Sequence, residues 1–346
     1  MDNVLSTNYL WSVHPQPLQS ESMESWLVRQ AHANCYSPLQ FASTYLNTQP
    51  RDYDLDLLPR NLEAFKLVTG SIDGGVRRAL DMTLFSFGPS LVSSANATYR
   101  GNHKFSWVTP SSGARRYCPL CFSEDKTAHL RLTWRLKFVP VCIGHKVLLG
   151  SECSNCKAPL RPFRINPYYD LKRCPQCGSP LCYAPVVPVD TSEPKWTAVT
   201  SLLGLLKGTL TPTDVKWEKD VAELFKALRF IMRFLVNLRR VELEHDAHLS
   251  NHSVPLTYQL LGEAWELLQH REKLGLLIKD HQFQFNALTH QTCPSLFVRY
   301  RSVGRRWIDQ ASVLRTAGKS ARRTLSRTKV DEVPFRDYRS IPFPIG

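Results

Sequence analysis

A mainly α-helical fold with small β elements in its middle is predicted for this 346-residue chain by three observations. Residues 109–190 hold eight of the ten cysteines and ten prolines, with most of the cysteines paired two residues apart. The sequence on either side repeats apolar residues about one helical turn apart. Near residue 37, helix start and stop signals follow one another closely enough for short helices joined by tight turns. The fold class read from these is mainly α with small zinc-ribbon β elements. It divides into an N-terminal helical (helix-turn-helix) domain at 1–108, a tandem zinc-ribbon module at 109–190, and a C-terminal helical domain with a basic tail at 195–346.

In the first region a helix is predicted over Glu21 to Asn34, with Met23, Trp26, Leu27 and Ala31 on one face. Ser37-Pro38-Leu39-Gln40 reads as an N-cap, a proline at the first helical position and a capping-box glutamine. Phe41, Tyr45 and Leu46 supply the buried face of that helix. A third helix fits Asn61 to Val68, stopped by Thr69-Gly70. A fourth fits Ile72 or Val76 to Leu84, despite the helix-weakening pair Gly74-Gly75. The pattern suits a helix-turn-helix unit and equally any small helical bundle.

In the third region, helices are predicted over Trp196 to Lys207, Lys219 to Glu242, Leu256 to about His270, and Lys273 to Phe285. Their apolar stripes are core. The tail from Arg299 to Arg327 carries nine basic residues against one acid, Asp309. Such a run suits a phosphate backbone, an acidic protein groove or a solvated end.

The middle carries the chemistry. Cys118-Pro-Leu-Cys121 is followed after twenty residues by Cys142-Ile-Gly-His145, and Cys153-Ser-Asn-Cys156 after seventeen residues by Cys174-Pro-Gln-Cys177. Two ligands separated by two residues converge on one ion, and two such knuckles complete the tetrahedron of a structural zinc site. The expected metal ligands are Cys118, Cys121, Cys142 and His145 for one Zn, and Cys153, Cys156, Cys174 and Cys177 for a second. Interleaved pairing of the knuckles, or Cys182 in place of a neighbour, stays open. Gly144 and Gly178 suit the tight turns of the knuckles. Cys35 and Cys293 read as small buried residues. Metal binding supplies stability that the loop-rich middle lacks in apolar sequence, and Trp134, Leu136, Phe138 and Val139 are expected beneath the first ion. Thiol redox chemistry would leave six ligands idle, and His145 speaks against an iron–sulfur cluster.

Nothing marks a catalyst. There is no phosphate-binding glycine loop and no His-Glu-x-x-His. Both metal sites are closed by four protein ligands, which leaves no open position for a reaction. The cluster Glu242, Glu244, His245, Asp246 and His248 reads as a solvated helix end. The expectation is a binding protein and not an enzyme, with no catalytic residues.

The net charge of +14 points to a polyanionic partner, nucleic acid before an anionic membrane, or to a merely soluble basic protein. Arg115, Arg116, Arg131 and Arg135 are candidate phosphate contacts, although Arg135 could equally brace the metal fold. The N-terminus has no targeting signal, and the longest apolar stretch, Leu224 to Leu238, is broken by Lys226, Arg229 and Arg233. The expected location is the reducing cytoplasm, where paired cysteines bind metal.

The stretch from Pro17 to Ala31, with Glu21-Ser22, Ser25-Trp26, Arg29 and Ala31, resembles the opening of the TniQ family of transposition proteins. Arg116-Tyr117-Cys118-Pro119-Leu120-Cys121, Leu132-Thr133-Trp134-Arg135 and Val141 to Leu149 resemble its central block, and the resemblance extends over residues 14 to 182. It implies a helix-turn-helix with zinc ribbons and no catalytic activity. It also implies a target-selection protein that links a target-recognising component to the AAA+ (TnsC-like) ATPase that recruits the transposase. Longer relatives of the TnsD type bind a fixed attachment site in DNA. Shorter ones in CRISPR-associated transposons dock on Cascade with its guide RNA, sometimes as a homodimer, and mercury-resistance transposons encode such proteins too. The length and the complete pair of ribbons favour the adaptor branch.

Overall fold

The computed structural model describes residues 12–45, 69–70, 72–87, 107, 114–217, 220–239 and 253–281, all within one compact unit spanning Met1–Ser295. The helix expected at Asn61 to Val68, the acid–histidine cluster at 242–248, Cys293 and the basic tail lie outside the described residues.

Helix α1 spans Met23–Ala33, with Ser22 as its N-cap accepting the Ser25 N–H. Eight of its eleven residues are buried, so it is a central strut. A four-residue turn leads to α2, Pro38–Tyr45. Cys35 makes that turn possible by taking φ 61, in the left-handed region. It is exposed and not buried as expected, because the residue at the reversal must point outward. The Ser37 hydroxyl accepts the Gln40 N–H, and the Gln40 side-chain oxygen receives the Ser37 hydroxyl rather than its backbone N–H. Helix α3, Gly75–Asp81, follows Gly74. The two glycines do not weaken this helix; both have positive φ and sit at its entrance, where only a residue without Cβ is unstrained. Met23, Trp26, Leu27, Ala31, Phe41, Ala79 and Met82 form one core, closed from outside by Phe163 of the cysteine-rich region.

In that region α4, Pro119–Glu124, starts from Cys118, whose Sγ accepts the Cys121 N–H. Strands β1, Val141–Cys142, and β2, Val147–Leu148, form an antiparallel hairpin with Cys142 opposite Val147. The Tyr117 ring lies over Gly150, where a Cβ would come within 2.8 Å of it. The rest of the module is held by single bridges, Glu152 to Pro159 and Arg173 to Pro180. Its core joins Tyr117, Phe122, Trp134, Val147, Leu160, Ile165 and Leu181 with five buried cysteines.

The C-terminal helices are α5, Pro194–Leu206; α6, Val221–Leu238; α7, Val254–Gln269; and α8, Arg271–Asp280. Asp220 and Ser253 cap α6 and α7 through their side-chain oxygens. Both α5 and α6 pack on α7. Phe225 of α6 meets Trp107 and Phe138 at ring-centroid distances of 5.7 and 5.2 Å, which ties the helices to the ribbon region. Phe138 therefore serves this joint, while Trp134 packs among the cysteines of the first cluster. Among the described residues no helix is long and apolar enough to cross a membrane.

Candidate metal centres

The eight predicted ligands come together as two separate groups of four, in sequential pairing: Cys118, Cys121, Cys142 and His145, then Cys153, Cys156, Cys174 and Cys177. Within each group the ligand atoms all lie within 4.8 Å of one another. Neither group is interleaved with the other, and Cys182 stands outside both.

The local backbone explains the convergence. In the first knuckle Cys118 ends an extended segment and Cys121 sits one turn into α4, so both thiols face the same side. The other three knuckles share a different device. Lys146, Lys157 and Gly178 each donate an N–H to the carbonyl four residues back, at Cys142, Cys153 and Cys174. Each has positive φ, at 55, 59 and 71. The expected glycine role holds at Gly178. Gly144 has no positive φ; the reversal falls two residues later, on Lys146.

Ligand spacings fit the chemistry of zinc. Zn–S bonds of about 2.3 Å and Zn–N bonds of about 2.05 Å at tetrahedral angles place sulfurs about 3.8 Å apart and sulfur about 3.6 Å from nitrogen. Cys121 and Cys142 Sγ are 3.6 Å apart, and His145 Nδ1 lies 3.5, 3.2 and 3.6 Å from the Sγ atoms of Cys118, Cys121 and Cys142. In the second group Cys153–Cys177 and Cys156–Cys174 are 3.7 and 3.6 Å apart.

Charge makes the same demand for a cation. Hydrogen bonds from the Cys118 and Cys121 thiols hold Cys142 down at about 2, and bonds with Cys118 and Cys142 push Cys121 far above the usual thiol range. Three sulfurs this close repel one another as thiolates. A divalent ion allows all three to be thiolates. Both groups are consistent with structural zinc ions, each closed by four protein ligands.

Sequence reasoning missed the residues around the ligands. Glu124 Oε2 lies 2.8 Å from His145 Nε2, so the ring donates there and turns Nδ1 toward the sulfurs. Asn155 Nδ2 donates to Ser179 Oγ at 2.9 Å and approaches Cys177 Sγ, bracing the second group. The signal for Glu124 was its place at the end of the short helix that Cys118 starts.

The four arginines proposed as phosphate contacts have structural roles. Arg115 is paired with buried Glu24, and Arg135 lies 3.5 Å from the same carboxylate. Arg116 donates to the carbonyls of Leu136, Lys137 and Val139 at 3.2, 3.0 and 3.3 Å. Burial lowers its guanidinium to about 10. Arg131 is held by Asp125 and lies over the Trp134 ring. A cation whose donors are already satisfied in the interior has nothing left for phosphate. Arg135 instead reaches from the ribbon to Glu24 of α1.

Glu21 is a second buried carboxylate, just before α1. Glu21 accepts from the Leu18 N–H, the Ser25 hydroxyl and both Arg29 Nε and Nη2. Around it, Ser22 N–H donates to Leu130 O and Leu132 N–H to Ser20 O, which sews the start of α1 to the first ribbon. Residues 12–149 match the TniQ family model. Over this segment the chain is similar to the TniQ family. TniQ is a non-catalytic family of transposition proteins. The match contains the whole first metal group and ends at β2, so the second group and α5 to α8 lie beyond the matched segment. No curated protein matches the chain.

Proposed function

We propose that this protein is a non-enzymatic target-selection adaptor in DNA transposition, joining a target-recognising complex to the AAA+ ATPase that recruits the transposase. The match of residues 12–149 to the TniQ family model, a segment in which buried Glu24 of α1 pairs with Arg115 and Arg135 of the first ribbon, is the observation that carries this reading. The reading includes zinc at Cys118, Cys121, Cys142 and His145 and at Cys153, Cys156, Cys174 and Cys177. It also includes the three-part division at residues 1–108, 109–190 and 195–346. A closed metal site adds stiffness without reactivity, which suits a scaffold between two larger assemblies.

The recognising complex in this proposal is RNA-guided Cascade. A direct reader of a fixed DNA site is the second reading. Two features favour the adaptor. Helix α2 contains no Lys or Arg, and Arg115, Arg116, Arg131 and Arg135 of the first ribbon are occupied by partners within the fold. A direct reader needs cations on the helix that enters the groove.

Interferometry of the purified zinc-loaded protein against the ATPase, the effector complex and duplex DNA tests this. The adaptor reading expects saturable binding to both protein partners and only weak, steeply salt-dependent duplex binding without sequence preference. Sub-micromolar binding to one duplex sequence, at least a hundredfold above random duplex, overturns it in favour of the direct reader. DNA cleavage by the protein alone overturns both.

A further inference from the structure

The second ribbon, beyond the matched segment, displays aromatic rings at its surface. Tyr168 is 91% exposed and Tyr183 82% exposed, while Tyr169 is 37% exposed. Each sits beside buried anchors. Ile165 and Leu171, both 2% exposed, bracket Tyr168 and Tyr169; Leu181 and Ala184 bracket Tyr183. Just before them, Phe163 plugs the core of α1 and α2. The rings therefore project from a loop pinned on both sides and closed by the second metal group, so holding them in place costs little further entropy.

Charge surrounds them. Arg161, Arg164 and Arg173 are exposed in the same stretch, and the Arg173 guanidinium lies 5.6 Å from the Tyr169 ring centroid. Arg173 also bridges to Pro180, three residues before Tyr183, which brings the two halves of the ribbon together. The nearby acids are occupied. Asp125 holds Arg131, Glu124 holds His145, and Asp170 accepts the Lys172 N–H. Exposed rings interleaved with exposed arginines are complementary to a strand whose bases are unpaired: rings stack on base faces, and guanidiniums meet phosphates. A duplex hides its base faces and offers the rings nothing. A protein groove would call for aliphatic surface and fewer cations.

We propose that Tyr168, Tyr169 and Tyr183, with Arg161, Arg164 and Arg173, form a platform for an unpaired nucleic-acid strand. Stacking and phosphate contacts do not read the sugar, so the platform takes RNA and DNA alike. This surface is independent of the adaptor reading, because that reading is tested by binding to the ATPase and effector. Loss of one leaves the other standing.

The test uses the full-length, zinc-loaded protein and fluorescent oligonucleotides of about 15 nucleotides, as single-stranded RNA, single-stranded DNA and duplex. Tyr168→Ala/Tyr183→Ala is expected to weaken both single strands by at least about tenfold, since stacking losses per base are of that order or greater. Tyr168→Phe/Tyr183→Phe keeps the ring faces and should retain affinity within about twofold. Duplex binding, driven by the remaining cations, should be the same for all three proteins. Metal content and melting temperature should also be shared, because neither ring is packed. The proposal is overturned if the alanine variant binds single strands as the parent does. An equal loss on duplex overturns it too, as does a tenfold preference for one sugar. Retention of single-strand binding alongside loss of a protein partner identifies the patch as a protein-docking surface instead and likewise overturns it.

Discussion

Glu24→Gln removes one charge and almost no volume from the joint between α1 and the first ribbon. The Glu24 carboxylate is 6% exposed and is bonded by Arg115, through Nε and through Nη2 at 3.1 Å, with Arg135 Nη1 at 3.5 Å. Both guanidiniums are nearly buried, at 3% and 4% side-chain exposure. Withdrawing the anion from a buried pair costs about 3–5 kcal/mol, because the cation it served stays out of water. Against a total stability of about 5–15 kcal/mol this is a large fraction. For a unit of this size it lowers the melting temperature by about 6–20 °C. Tryptophan fluorescence melting in zinc-saturated buffer reads it, with metal content checked before each scan. Glu24→Gln/Arg115→Gln should lose less than the sum of the two single variants, since it removes both members of the pair. A Glu24→Gln protein that melts within about 1 °C of the parent refutes the idea that this carboxylate clamps helix to ribbon.

Three further outcomes follow from the same geometry. Chelator should strip the second ion before the first, in two resolved phases by a colorimetric zinc dye, because Cys177 is exposed and Cys156 half-buried while Cys118, Cys121 and Cys142 are buried; simultaneous release counts against this. Glu124→Gln should weaken the first site about 10–100-fold in competition titration and leave the second unchanged, as loss of a carboxylate behind a metal-binding histidine does elsewhere. Lys137 is buried with no hydrogen-bond partner for its Nζ among the described residues, and burial, aided by Arg116 and Arg229, lowers its ammonium from 10.5 to about 8. The unfolded chain therefore binds more protons between about pH 8 and 10.5, so this group makes stability rise with pH across that window. Lys137→Met should flatten that rise and stabilise the protein at pH 7 by about 3 kcal/mol, the free-energy equivalent of the shift. A variant less stable than the parent at pH 7 in urea titration refutes that account.

Much of the local structure was legible because it rests on short-range rules. The Ser37–Pro38 helix start, the stripe Met23, Trp26, Leu27 and Ala31, and the helices beginning near Trp196, Lys219 and Leu256 all appear within a few residues of where periodicity placed them. Glycine pairs were harder. Gly74-Gly75 reads as a weak helix interior until the positive φ of both residues marks the entrance. Lys146 and Lys157 carry knuckle reversals that composition assigns to glycine, because four ligands on one ion can hold a strained backbone in place.

The arginines mark the limit most clearly. Arg115, Arg116 and Arg135 in a basic chain look like phosphate contacts, yet their partners are Glu24, ninety-one positions from Arg115, and carbonyls about twenty positions from Arg116. No window of sequence contains both members of such a pair.

By itself the sequence determined which atoms can bind metal, and that they do so in fours, because ligand identity and a two-residue gap are local chemistry. It determined where helices begin and the sign of the surface charge. Tertiary structure alone decided that Arg115 and Arg135 of the first ribbon share the buried carboxylate of Glu24 in α1, that Phe163 of one module closes the core of another, and that three tyrosines of the second ribbon stay outside. Burial is a property of the whole packed chain, and it is burial that separates an arginine that braces from one that binds.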